Sequence, residues 1–315
     1  MAVGVKPLTS SPELVRQRLQ GRKLDVAGFV FRLLLLATLF VTLTLLAVLL
    51  LEVVTGGWSV LTTRLGDFLT GKLGISASRS GISQGLRGTV FIGLFVVLIA
   101  FPLGVGAAIY LEEYAPHSRL TRLIDVNIRN LAGVPSVVYG LLGFAIFVKA
   151  LRFITGPEAN GATVISAGLT LAILVLPIVI ITSAEAIRAV PDSLREAGFG
   201  VGATRWEVVR SHVLPYAGPG ILTGTVLSLA RALGEAAPLI LVGATTGFLT
   251  EGDGYNLASL QERFTAMPIV IFTWAGRPQP GFRSATAAAI VVLLAVVLLA
   301  NTVAILLRNK YEKRR

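Results

Sequence analysis

Six long apolar segments decide what this chain can become. They cover residues 29–54, 89–111, 131–148, 164–187, 221–242 and 286–307. A helix needs about 20 apolar residues to cross the hydrocarbon core of a bilayer. The expectation is therefore an all-α polytopic membrane protein with six transmembrane helices. A soluble fold would instead have to bury six helices that are apolar all round in one small domain.

The segments differ in detail. The third is the shortest, and its Pro135 falls in the first turn, where proline is tolerated. Pro102 and Pro177 lie inside the second and fourth segments, where they are expected to kink the helix and free backbone carbonyls. The stretch 264–275 is apolar but too short to cross. With Met267, Pro268 and Trp274 in it, and Arg277 and Pro278 after it, it reads as interfacial or re-entrant.

Charge sets the orientation. Of 315 residues, 14% are charged and 54% hydrophobic; soluble domains carry about 25% charged residues. The net charge of +11 comes from 28 Lys+Arg against 17 Asp+Glu. In a soluble chain that excess would point to nucleic acid. Here 18 of the 28, counting Arg32, fall in residues 1–28, 112–130, 188–220 and 308–315, and nine fall in the intervening segments. The positive-inside rule then places both termini in the cytoplasm and removes nucleic acid as a partner. The expected organisation is a cytoplasmic segment 1–28, a first helix 29–54, an outer loop 55–87 and a five-helix core 88–315. The polar leader and long first apolar run read as an uncleaved signal anchor.

Several site classes drop out. The chain has no cysteine and two histidines, His117 and His212, which leaves no thiol chemistry and no His-based metal cluster. Residues 66–73 nearly match a P-loop, but Leu73 stands where the motif needs Ser or Thr for magnesium. Gly198, Gly200 and Gly202 follow no strand and lack the dinucleotide-binding spacing. Ser136 and Ser228 have no histidine partner for a triad. No cofactor is expected on this chain.

Two features remain. The first is the loop 188–216, long for a bare connection. Asp192 or Ser193 is placed to cap a short helix, with Glu196 reaching back as in a capping box. Leu214-Pro215 is placed to close a second short helix. Gly198, Gly200 and Gly202 allow close approach, and Trp206 offers an interface anchor. A helix-turn-helix knob facing the cytosol and an amphipathic connector lying on the membrane both fit this composition. The second feature is Arg231 and Glu235 in the fifth segment, four apart and hence on one helical face. Charges at membrane depth are costly. They form either a structural ion pair or part of a polar stripe along a translocation path. The guanidinium fork suits an oxyanion such as phosphate, and Glu235 would moderate its field.

Glu196-Ala197-Gly198, Gly202 and His212-Val213-Leu214-Pro215 match the EAA loop of ABC importer permeases in spacing. Gly198 replaces the second alanine, and His212 an aliphatic residue. Further motifs are Gly133-Val-Pro135-Ser136-Val-Val-Tyr139-Gly140, Arg231-Ala-Leu-Gly234-Glu235-Ala-Ala-Pro238, Ile271-Phe-Thr-Trp274 and Arg308-Asn309-Lys310-Tyr311. Together they resemble the PstA-type permeases of phosphate-specific ABC importers, from about residue 80 onward.

The resemblance implies a MetI-like permease bundle in a bacterial inner membrane. It also implies a PstC-like permease partner, two PstB-like ATPases that use ATP and magnesium, and a PstS-like phosphate-binding protein. Glu196, Ala197, Gly198, Gly202, Arg205, Trp206, Leu214 and Pro215 would then form the loop that couples to the ATPase. Arg231 and Glu235 would line the path, and residues 55–87 and 248–284 are candidates for receiving the binding protein. The chain itself would be a transport subunit without enzymatic activity. Importers of sulfate or molybdate, a membrane-embedded enzyme for phosphorylated or lipid substrates, and a receptor or scaffold are the alternative readings.

Overall fold

The computed structural model describes residues 26–116, 118–245 and 260–312. His117, most of the N-terminal segment and the stretch 246–259 lie outside these residues. Every regular element among the described residues is helical. The chain forms two compact units, Met1–Glu52 and Val53–Arg315.

In the first unit the described part is a single helix, α1 (Val26–Thr63), which continues past the unit's end. Its apolar side chains are exposed all round, with Phe29, Phe40 and Leu51 each more than 60% exposed. That pattern fits a lipid-facing helix.

In the second unit, α1 ends at Thr63 and a short helix α2 (Leu65–Thr70) follows. The expected outer loop is thus largely structured. Arg64 does much of this, donating to the carbonyls of Ala77, Ser78 and Ser80. The near-P-loop stretch contains α2 and ends in a turn packed on Gly81.

Helix α3 (Ser83–Ile109) runs unbroken through Pro102 and ends in a π-helical turn, Tyr110–Tyr114. Helix α7 (Val164–Arg188) likewise runs through Pro177. These two helices form the most extensive pairing in the unit, and α7 also packs on the elements that follow.

The third segment departs from expectation. It is two helices bent by 101°: α4 (Arg119–Ala132), and α5 (Ser136–Gly143) continued by a π-helical stretch Phe144–Ala150. Pro135 is not inside the first turn but just before it. It has no N–H for Leu131 and cannot extend α4. The buried Tyr139 hydroxyl donates to the Leu131 carbonyl at 2.8 Å, which closes part of the break. A four-residue helix, α6 (Arg152–Thr155), leads towards α7. There, buried Thr155 donates to Phe147 O, Thr163 to Thr155 O and Ser166 to Gly161 O.

Beyond α7 lie α8 (Asp192–Gly200), α9 (Arg205–Val208) and α10 (Leu214–Gly234). The fifth segment therefore begins earlier than expected and breaks at Glu235. A six-residue helix, α11 (Ala237–Val242), follows the break. Pro238 explains the stop, since its ring would meet the Gly234 carbonyl four residues back and offers it no N–H.

The short apolar stretch forms α12 (Met267–Ala275), nine residues long. One side of it is buried in protein, with Met267, Val270 and Trp274 at most 1% exposed, while Phe272 is 63% exposed. The Met267 N–H donates to the Thr89 side chain at 2.8 Å. Trp274 packs between Phe68 and Phe282 in tilted contacts, with ring centroids at 6.3 and 5.6 Å. The last helix, α13 (Pro280–Glu312), is longer than its apolar run.

Small residues set the helix spacing. A Cβ on Gly143 would overlap Thr170 of α7, and one on Gly104 would lie 2.6 Å from Val179 Cγ1. Gly106 has open space around it, so only the first glycine of that pair serves packing. Gly143→Val should therefore destabilise the fold by about 1–3 kcal/mol, whereas Gly106→Ala should be neutral or mildly stabilising, by up to about 1 kcal/mol. Thermal unfolding of the detergent-solubilised protein would check this. Equal melting temperatures for the two variants would refute the close α5–α7 packing.

Candidate functional site: a helical knob joined to a broken helix

The loop 188–216 folds as a knob: α8, a turn at 201–204, then α9. Helix α8 starts after Pro191, and no side chain caps it. The expected capping box at Asp192 or Ser193 with Glu196 is absent because Pro191 takes the cap position and both residues fall inside the first turn. The Asp192 carboxylate accepts from Arg195 Nη1 at 3.0 Å. The capping box sits instead on α9, where the Thr204 N–H donates to Glu207 at 2.7 Å and Glu207 N–H to the Thr204 hydroxyl. Gly202 makes the turn between the helices with φ +84°, a conformation that costs L-residues with a Cβ.

Leu214-Pro215 does not close a helix. A π-helical turn, Val209–Val213, joins α9 to α10, and Arg205 to Gly234 is one helical run. Pro215 sits in the first turn of α10. The wider π turn absorbs the hydrogen bond that the proline cannot make.

The knob has a packed apolar interior, and its exposed surface mixes Ala197, Phe199, Val201 and Trp206 with Asp192, Glu196, Arg205, Glu207 and Arg210. Val190, Val208 and Val213 pack with Ala184, Ile187 and Ile221. Gly198 lies against α9, where a Cβ would stand 2.7 Å from Val208 Cγ2. The departure from the family's alanine is thus matched by a close helix–helix contact. Gly200 has no such neighbour. Glu196, Ala197, Phe199, Gly202, Arg205 and Trp206 are exposed, as is Pro215, while Leu214 is half-buried. Trp206 is 55% and Val201 84% exposed. His212 is exposed, so the polar group does not enter the packed interior.

The knob is held by a turn that sequence reasoning passed over. Glu113, in the π-helical turn after α3, accepts from Arg195 Nη2 at 2.8 Å and Nε at 3.1 Å. The Glu113 carbonyl accepts from Arg205 at 2.9 Å, and the Arg205 guanidinium lies over the Tyr114 ring. Neighbouring Glu112 pairs with Arg188. Two adjacent acids closing an apolar run, opposite an arginine-rich loop, were the available signal.

Arg231 lies in the last turn of α10, and Glu235 is the residue just beyond the helix, in an extended conformation. They are not both helical, yet Arg231 Nε approaches Glu235 Oε1 to 3.5 Å. The Arg231 side chain is half-exposed and that of Glu235 one-fifth exposed. Among the described residues no group of His, Asp and Glu is arranged to hold a metal ion. The knob and Arg231 are not neighbours. They share the Arg205–Gly234 run, on which Trp206 and Arg231 stand about 38 Å apart at 1.5 Å per residue.

Comparison with known proteins agrees with this architecture. The chain is 32% identical over 315 residues to the phosphate transport system permease protein PstA 1 of Mycobacterium tuberculosis, covering 99% of this chain and 96% of that protein. It is 30% identical over 240 residues to the phosphate transport system permease protein PstC of Mesorhizobium japonicum, covering 70% of this chain and 73% of that one. Among solved structures, a chain of a bacterial alginate ABC transporter in complex with its alginate-bound periplasmic protein superposes with TM-score 0.64 at 15% identity, over 88% of this chain and 93% of that chain. Residues 100–315 match the model of binding-protein-dependent transport system inner membrane components. This chain belongs to that family of multi-pass inner-membrane permeases.

Proposed function

We propose that this chain is the PstA-type permease of an ATP-driven importer of inorganic phosphate. As a permease component it is a transport subunit, and ATP hydrolysis belongs to a separate chain. The observation that carries the substrate reading is Arg231, a half-exposed guanidinium at the end of a membrane-length helix. A charge within a membrane span is expensive unless it faces a partner or a cavity. A planar fork left partly open, with one carboxylate nearby, suits transient binding of a tetrahedral oxyanion. The near-full-length likeness to a PstA protein supports phosphate as that anion.

In this reading both termini and the knob face the cytoplasm, in keeping with the distribution of Lys and Arg. A PstC-like chain completes the path. Two PstB-like ATPases using ATP and magnesium dock on the knobs, and a PstS-like protein delivers phosphate outside. Glu196, Ala197, Phe199, Val201 and Trp206 give the knob an exposed, mostly apolar face suited to a groove on the ATPase. Gly202 keeps the turn, and the rigid run from Arg205 to Gly234 carries displacement of that face toward Arg231.

Reconstitution with the three partners in proteoliposomes, with labelled phosphate and sulfate, tests the substrate. Phosphate should be taken up and sulfate should not compete; competition by sulfate alone would reject the reading. Arg231→Gln should abolish uptake while the complex still assembles, and native uptake by that variant would remove Arg231 from the path. Trp206→Ala should weaken binding of the ATPase subunit by about 10-fold or more, as for an aromatic interface anchor. Undiminished binding in a pull-down titration would count against the knob as the docking face.

A further inference from the structure

We propose that the Arg195–Glu113 pair is the joint through which movement of the knob is passed to α3 and α7. This rests on the knob being the ATPase-coupling element.

The pair stands apart among the ion pairs of the described residues. Its side chains are only 18% and 9% exposed. Arg188–Glu112 and Arg129–Glu185 each leave at least one side chain more than half exposed, and exposed pairs contribute little. A pair this buried is different: removing Arg195 leaves the Glu113 carboxylate without its cation in a poorly solvated place, whereas Arg195 keeps Asp192 at 3.0 Å when Glu113 is neutralised.

Arg195 also does more than pair. Its guanidinium donates from Nε and Nη2 to Glu113, from Nη1 to Val190 O at 2.8 Å, and from Nη2 to Ile187 O at 3.0 Å. One side chain of α8 therefore grips the end of α3 and the carbonyls that close α7. The turn it grips is π-helical, a form found mostly as single-turn bulges and often at functional sites.

The second helix of the knob holds the same turn. Arg205 of α9 donates to the Glu113 carbonyl and lies over Tyr114. Because α8 and α9 touch directly at Gly198 and Val208, the knob moves as one body. A push on Trp206 then has two routes into the bundle: along α9–α10, and across Arg195 and Arg205 into α3 and α7. The second route makes the membrane helices move together. Arg195 and Glu113 are positioning residues here and touch no substrate.

The test uses the complete importer with its partner permease, ATPase and binding protein. In Glu113→Gln and Arg195→Gln, phosphate uptake should fall at least about 5-fold, as expected for loss of one coupling interaction. The ATPase subunit should still co-purify and hydrolyse ATP, so more ATP is spent per phosphate moved. The double variant should be no worse than the worse single one, since both remove one joint. Native uptake, effects that multiply, or loss of assembly and hydrolysis in proportion to uptake would each overturn the proposal.

A second measurement does not depend on how well those variants fold. The chain has no cysteine, so labels placed at the exposed residues Ser193 and Leu103, neither of them in the docking face, report the knob-to-α3 distance directly. In the otherwise native complex that distance should stay constant when ATP binds; a distance that changes would sink the joint. Trp206→Ala separates the two claims. If it keeps the ATPase at native affinity, the coupling reading fails. If it loses the ATPase while Glu113→Gln keeps the native ATP-to-phosphate ratio, only the joint fails.

Discussion

A helix interrupted at membrane depth must close its backbone hydrogen bonds within the protein. Hydrocarbon offers no partner for a freed carbonyl, and each unsatisfied group costs several kcal/mol. The structure meets that constraint with side chains placed at the breaks. Tyr139 closes on Leu131 where Pro135 stops α4. Thr155, Thr163 and Ser166 tie up carbonyls in the connection into α7. Thr89 receives the first N–H of the short buried helix α12. Arg64 and Arg195 do the same at the two ends of the second unit, each taking several carbonyls with one guanidinium. Hydroxyls and arginines that look incidental in composition are thus what permits an apolar chain to bend.

The same constraint explains which parts of the fold the sequence disclosed. Apolar length is a property of one segment, so the membrane-length helices and the non-crossing length of 264–275 could be approached from the sequence alone, whereas the packing of Met267, Val270 and Trp274 could not. The breaks were harder because each depends on a partner elsewhere. Pro135 and Pro102 are both prolines in apolar runs. Only the first stops a helix, and there the Leu131 carbonyl accepts from the Val134 N–H as well as from the Tyr139 hydroxyl. At Leu214-Pro215 the residues that mark helix ends fail to end one. The π turn before them restores the helical path at the cost of one widened ring. The knob was legible as two helices from Gly202 and the surrounding spacing, yet its cap was misplaced. The acid expected to cap α8 falls inside its first turn, behind Pro191, and pairs with Arg195. Glu113 escaped notice for a related reason: its significance lies in a contact with a residue more than eighty positions away.

Arg231 and Glu235 show how far such distant contacts reach. Their spacing predicts one helical face, but Pro238 ends the helix between them and throws Glu235 into an extended conformation. The charges still meet, at 3.5 Å. Where they meet is fixed from outside the pair. A Cβ on Gly140 of α5 would lie 2.8 Å from the Cα of Pro238, so α11 can rest there only because position 140 is bare. Helix α5 in turn begins where Pro135 and Tyr139 make it begin. The break that follows Arg231 is thereby packed against the helix that leaves the 101° bend. A shift at either one displaces the other. A charge whose cost at membrane depth is several kcal/mol is therefore located by two prolines and a glycine that carry no charge at all. The two motifs opening α5 and closing α10 are a single structural unit, although nearly a hundred residues separate them in the chain.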